Sequence, residues 1–226
     1  MYCSANQCRK SVYTGQRKQW NQNTHYIDAS QIYRSNKSTS DSLRSFTGGK
    51  LKTGQDPRIP YLLPKDTNNV ANCILSQSIF NVKCFLAGDV RVNEQPALAS
   101  LHTIFMKEHN RIATGLGALN NGWSDQILFD EDRKIVGAIL QHITYKEYLS
   151  EILRSAIMNS NDLNPHASGY FNDYETSMNP SIRNEFATVA FRFGNSMVHD
   201  SLKYGGTCIW FKDVFSNYII RYEWRY

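Results

Sequence analysis

Three stretches of the chain repeat apolar residues at the spacing of a helix, and the segments between them show no regular alternation. Leu98, Leu101, Phe105, Ile112 and Leu116 recur at helical intervals and predict a long helix with those residues on its buried face. Pro96 suits the first turn of that helix, where a backbone N–H would lack a partner in any case, and Asn93, Glu94 or Gln95 can cap it. After the turn-forming run Asn120-Asn121-Gly122-Trp123 a second helix is expected. Asp130 is its predicted cap, Glu131 and Asp132 fall in its first turn, and Ile135, Val136, Ile139, Leu140 and Ile143 form its apolar stripe. A shorter helix or helical turn is expected over 148–158. The last strong helix is predicted to start at Pro180, with Ile182, Phe186, Val189, Phe193 and Met197 on one face.

The remainder reads as loop. Residues 1–22 have no periodicity, and 35–70 are rich in Ser, Thr, Asn, Gly, Pro and Lys, with short β pieces expected near 50–53 and 60–63. The fold class is therefore mainly α, with long loops and little strand. A length of 226 residues suits one domain or at most two small ones. The net charge of +5 is spread without a dense Lys/Arg run, which argues against nucleic acid or an anionic membrane as partner. No apolar run approaches the roughly 18 residues needed to span a bilayer, and residues 1–20 contain no apolar signal-peptide core. Five cysteines leave at least one unpaired or paired to another chain.

Candidate chemistry gathers in Cys84-Phe85-Leu86-Ala87-Gly88-Asp89-Val90-Arg91-Val92-Asn93-Glu94, which holds Arg91 and Glu94 just ahead of the first long helix. Spacing alone makes this a surface ion pair, with Asp89 a turn residue. Thr24, Asp28 and Ser30 carry side-chain oxygens on one loop and could surround a hard cation such as calcium, although such residues also crowd loops as caps. His102 and His109 lie seven residues apart on nearly one helix face and read as structural. Cys73 and Cys84 bracket a ten-residue loop and would pair outside the cell or stay reduced in a cytosol; Cys3 and Cys8 are a local disulfide or two idle thiols. Asn36-Lys37-Ser38 is a glycosylation sequon, informative only for a secreted chain.

The Cys84–Glu94 run, continued by His102-Thr103 and Glu108-His109-Asn110-Arg111, resembles the animal haem peroxidases. Members of that family carry Cys-Phe-Leu-Ala-Gly-Asp, an Arg, Asn or Ser before Glu, and a helix reading Met-His-Thr…Glu-His-Asn-Arg. The resemblance implies that Arg91 is the distal arginine, placed to hydrogen-bond peroxide oxygens, and that Glu94 is the glutamate esterified to a haem methyl. Gln95 stands where one family member has a sulfonium-forming Met; by analogy this disfavours chloride and leaves bromide, iodide, thiocyanate or phenols. Thr24-His25-Tyr26-Ile27-Asp28-Ala29-Ser30 resembles the family's calcium loop. Thr24, Asp28 and Ser30 would then give side chains and Tyr26 a carbonyl. Arg34 replaces the usual Gly, and no segment matches the upstream Asp that completes the set. The family also has a disulfide where Cys73 and Cys84 stand.

Phe191-Arg192-Phe193-Gly194-Asn195 resembles the family's Phe-Arg-Phe-Gly-His, whose His is the proximal haem ligand. Asn195 occupies that position, and His199, one helical turn on, does not replace it without rebuilding. No segment resembles the distal histidine. The likeness covers 23–200, with 1–22 and 201–226 outside it, so the chain reads as a partial family member. The implied cofactors are haem and calcium, and the implied partners are hydrogen peroxide and a small reductant such as a halide or phenol. Secretion is implied as well, as are oligomerisation through exposed apolar faces and loss of full activity. The alternatives are a haem-free extracellular structural or interaction module, or a non-functional gene-model fragment.

Overall fold

Pro96 and Ser124 begin the two helices that organise the structure, a computed structural model that describes residues 21, 23–55, 61–66, 84–94, 96–172, 174–199, 201–204 and 206–210. Cys3, Cys8, Cys73 and Gln95 lie outside the described residues. The short helices α1 (Ser30–Tyr33) and α2 (Lys37–Leu43) come first, followed by a 3-10 turn (Val90–Asn93), the long α3 (Pro96–Leu119) and α4 (Asp125–His142). A π-helical turn (Ile143–Tyr148) leads into α5 (Leu149–Ile152) and α6 (Ser155–Ser160). Then come α7 (Asn184–Thr188), a 3-10 segment (Ala190–Met197), and an antiparallel hairpin of β1 (Ser201–Tyr204) and β2 (Thr207–Trp210). The fold is mainly helical, with little strand, as the sequence predicts. The β piece expected near 50–53 reduces to an isolated bridge of Leu51 with Arg44; that expected near 60–63 is not strand over 61–63, and a bridge of Lys65 with Phe85 follows it.

α3 appears where the apolar period places it, but with its face rotated. The buried line is His102, Met106, His109 and Ala113, while Leu101 is 52% exposed and Ile104 also faces outward. α4 starts at Asp125, five residues before the expected Asp130 cap. The Ser124 hydroxyl accepts from Ile127 N, and Asp125 takes Gly49 N at 2.6 Å and Arg44 Nη2 at 2.7 Å, so contacts from outside the helix stabilise the extra turn. Asp132, read as a first-turn residue, is therefore fully buried in mid-helix, on a face with Leu128, Phe129, Val136 and Leu140.

The core lies between α1, the 44–51 loop, α3 and α4. Ile32, Tyr33, Leu43, Leu51, Val92, Met106, Phe129 and Val136 form it, and Tyr33, His109 and Phe129 meet edge to face with ring centroids 5.4–5.8 Å apart. Arg44, almost fully buried, lies 4.1 Å over the Phe129 ring and bonds Asp125 and Gln126, which ties the 44–51 loop to the start of α4.

The helix expected from Pro180 is the clearest correction. α7 is five residues long, Val189 leaves helical geometry at φ −123°, and the chain continues as a 3-10 segment. Ile182, Phe186, Val189, Phe193 and Met197 are all exposed. With no packed partner for that face among the described residues, the apolar pattern has nothing to stabilise one continuous helix. No described helix is long and apolar enough to cross a membrane.

Candidate functional site

Gly88 fixes where the site begins. A Cβ there would meet the Ile32 carbonyl oxygen at 2.4 Å and Arg34 N at 2.8 Å, so only glycine lets this strand of chain press against α1. Arg34 Nη1 donates to the Gly88 carbonyl at 3.4 Å. Asn93 then locks the following turn to its own upstream segment, accepting from Phe85 N at 2.8 Å and donating to Phe85 O at 2.9 Å. Val92, almost fully buried, anchors the turn in the core.

On this platform Asp89 and Arg91 form a closed unit. Asp89 Oδ1 accepts from both the backbone N–H and Nε–H of Arg91 at 2.9 Å, and Oδ2 accepts from Nη2 at 2.7 Å. The Asp89 side chain is 15% exposed and that of Arg91 is 59% exposed. Burial by itself would push the Asp89 carboxyl up. The hydrogen bonds and charge of Arg91, with His102 nearby, outweigh it and hold the carboxyl below its ordinary range. Hydrogen bonding to Asp89 raises Arg91 in turn, against a smaller effect of burial. Glu94 ends the turn, exposed, with its N–H donating to Arg91 O at 2.8 Å, and its charge also acts on Arg91. The ion pair expected between Arg91 and Glu94 is instead made between Arg91 and Asp89, and Glu94 acts on Arg91 through its charge. Asp89, read only as a turn residue, is the group sequence reasoning missed; its signal was the Asp-x-Arg spacing.

Asn195 is not part of this arrangement. It sits exposed in the 190–197 segment, which packs mainly on α7 and has no substantial contact with the 90–93 turn or α3 among the described residues. The residues present therefore fit one wall of a haem site, an arginine and a carboxylate, but not its axial ligand. In the 24–30 loop, Thr24 Oγ1 accepts from Tyr26 N and Asp28 Oδ1 from Ser30 N, so two oxygens read as cation ligands also close local turns. No group of three His, Cys, Asp or Glu side chains able to hold a metal occurs among the described residues. A hard cation wants six or more oxygens, which leaves this loop a sparse donor set. Cys84 is buried and disulfide-bonded, and its partner is not among the described side chains.

Both helix histidines are structural, as expected. His109 is fully buried; Nε2 donates to Gly49 O at 2.8 Å and Nδ1 accepts from the Tyr33 hydroxyl at 2.9 Å. Asp132 Oδ2 stands 3.2 Å from the same Nδ1, an ion pair only when the ring is protonated, and neither carboxylate oxygen has a hydrogen-bond partner among the described residues. Burial raises the Asp132 carboxyl above its usual range, with His109 opposing that shift, and burial likewise pushes the Tyr33 phenol up. His102 Nδ1 donates to Leu98 O at 2.9 Å. Its ring borders a water-sized cavity of about 20 Å³ among Ile32, Leu43, Leu51, Leu86 and Met106.

The chain as a whole is similar to known proteins. The animal haem peroxidase family description matches residues 2–213, a wider span than 23–200. Peroxidasin of Drosophila melanogaster is 40% identical over 193 residues, 82% of this chain and 12% of that protein. The human peroxidasin homolog is 42% identical over 195 residues, 85% of this chain and 13% of its own. Among solved structures, peroxidase A from Dictyostelium discoideum superposes with a TM-score of 0.65 at 29% identity, covering 81% of this chain and 34% of that one. The chain thus spans about an eighth of the length of the curated relatives it matches. A match over nearly all of the sequence, with the Cys84–Glu94 turn and α3 set as one unit, places this chain in the animal haem peroxidase family.

Proposed function

We propose that the chain supplies the arginine-and-carboxylate wall of a haem peroxidase site, in a reaction where hydrogen peroxide oxidises a halide or a phenol. The observation that carries this is the Arg91 guanidinium, fixed by Asp89 in the turn before α3 with Glu94 beside it. When bound, haem supplies the reduction of peroxide to water and the oxidising equivalent. With haem held there, Arg91 would be the residue to hydrogen-bond peroxide oxygens and offset negative charge developing on them. Glu94 is the carboxylate to be esterified to the haem edge. A carboxamide at Asn195 is a poor iron ligand, so the chain on its own does not turn over peroxide faster than free haem.

Around that site we assign a disulfide between Cys73 and Cys84, consistent with a buried, bonded Cys84. The Thr24, Tyr26, Asp28 and Ser30 loop holds calcium weakly. Secretion suits both the disulfide and the exposed sequon, where Asn36 Oδ1 caps α2 and leaves its nitrogen for a glycan. The apolar residues of 182–198 favour oligomerisation.

Haemin titration of the 226-residue chain tests the reading, with wild type set against Asn195→His. The wild type should bind without a histidine-ligated Soret spectrum and oxidise iodide or phenol no faster than free haemin. Asn195→His should acquire the histidine-ligated spectrum. Equal spectra and equal turnover in the two forms would show that position 195 is not the ligand position.

A further inference from the structure

Arg91 lies at the surface, where a long side chain ordinarily samples many rotamers at little cost. Here three bonds to a single carboxylate remove that freedom. Asp89 takes the backbone N–H, Nε and Nη2 of Arg91, so it sets both the turn and the plane of the guanidinium. Asp89 in turn is held from beneath. Its side chain is mostly buried, Gly88 is wedged against α1, and the Asn93–Phe85 pair closes the turn. Among the described residues no acceptor meets Arg91 Nη1. The guanidinium is thus gripped along its Nε–Nη2 edge, with Nη1 and the second N–H of Nη2 left to donate outward.

We infer that Asp89 is the positioning residue of the site, clamping Arg91 by its Nε–Nη2 edge so that Nη1 and the second N–H of Nη2 are presented to an incoming peroxide or other small oxygen ligand. The peroxide half of this inference rests on the reading under Proposed function; the clamp itself does not. An arginine oriented this way carries its charge to one place without reorganising when a ligand arrives. Asp89 touches no reacting atom and acts only through Arg91.

The test uses the 226-residue chain and a reagent that needs no haem. Phenylglyoxal modifies free guanidinium groups, and peptide mass mapping reads each arginine separately. Asp89→Asn keeps an oxygen that can cap the Arg91 N–H but loses the charge-assisted clamp. In that variant Arg91 should be modified about fivefold faster than in wild type. Arg111, paired with Glu108 at 2.7 Å on α3, is the internal control and should not change. A purely structural role for Asp89 would accelerate both arginines or neither, and an unchanged Arg91 rate overturns the clamp. A second arm places the Asp89 variants in the Asn195→His background, the form expected to carry a histidine-ligated haem, and follows the haemin-loaded proteins mixed with peroxide. The Soret change should slow at least about tenfold in Asp89→Asn and recover in part in Asp89→Glu. Equal rates in all three forms overturn the positioning role. A wild type that takes up no haemin overturns the proposed function and the peroxide half of this inference, while the arginine mapping still decides the clamp.

Discussion

The segment from Ala29 to Leu140 and the segment from Asn184 to Val198 carry similar apolar patterns and meet opposite fates. In the first, α3 and α4 press Met106, Phe129, Val136 and Leu140 into one core with α1 and the 44–51 loop. In the second, Val189 is 72% and Phe191 60% exposed, and the predicted helix breaks into a five-residue helix and a 3-10 run. Periodicity states which residues gain by burial; it does not supply the surface that buries them. A helix of this length owes most of its stability to tertiary packing, so the same pattern gives a regular helix in one place and a fragmented one in the other.

Matched substitutions break this comparison most directly. Phe129→Ala removes a ring that packs on Tyr33, His109 and Arg44, and should cost about 3–5 kcal/mol in urea unfolding of the chain. Phe191→Ala, on the exposed segment, should change the midpoint by no more than about 0.5 kcal/mol. Equal losses at the two positions would mean that the 190–197 segment is packed in solution.

A smaller contrast uses one methyl group. Gly88→Ala places a Cβ 2.4–2.8 Å from backbone atoms of Ile32 and Arg34, none of which can rotate away, and should cost about 2–3 kcal/mol. Because Gly88 carries the Asp89 turn, phenylglyoxal should also reach Arg91 faster in this variant. Gly194→Ala meets nothing within 4 Å and should be neutral or stabilising by up to about 1 kcal/mol. A tolerated Gly88→Ala, by thermal melting, would show that α1 and the turn are not in contact.

Much of this was legible from the chain, and what was not has a physical reason. α3 was readable because its apolar residues recur over several turns and Pro96 marks its start. Its phase was not, because the centre of the buried face is held by His102 and His109, which a hydropathy pattern assigns to the outside. Asp132 failed for the same reason: a buried carboxylate is visible only once His109 on a different helix is placed beside it. The start of α4 differs from the expected one because Asp130 and Ser124 are equally good caps locally, and the choice is made by Gly49 and Arg44, 76 and 81 residues upstream of Asp125. Arg91 and Glu94 stand out as candidates through family likeness and not through spacing, which offers only an ion pair. The role of Asp89 needed coordinates, since an Asp-x-Arg spacing is consistent with a clamp or with two solvated side chains.

The finest test lies inside the packed region, at the buried Asp132 carboxyl. The Asp132 carboxyl is buried among Phe129, Val136 and His109, and burial raises its folded-state pKa above the unfolded value. The sign follows from that direction. Folding favours the neutral acid, so the stabilising contribution is complete below the ordinary carboxylate range near 3.9 and is lost as pH rises through the elevated folded value. At neutral pH the ionised group is tolerated rather than helpful, since His109 already satisfies both ring nitrogens through Gly49 O and the Tyr33 hydroxyl. Asp132→Asn, nearly the same size and uncharged, should therefore stabilise the chain by about 1–2 kcal/mol at pH 7. The gain should shrink towards zero as pH falls to 4, because the native aspartic acid is then neutral as well. Urea midpoints at pH 4, 5.5 and 7 measure this. A variant less stable than wild type at pH 7, with the deficit shrinking on acidification, would instead make Asp132 and His109 a net-favourable ion pair and reverse the assignment of the buried charge as a cost.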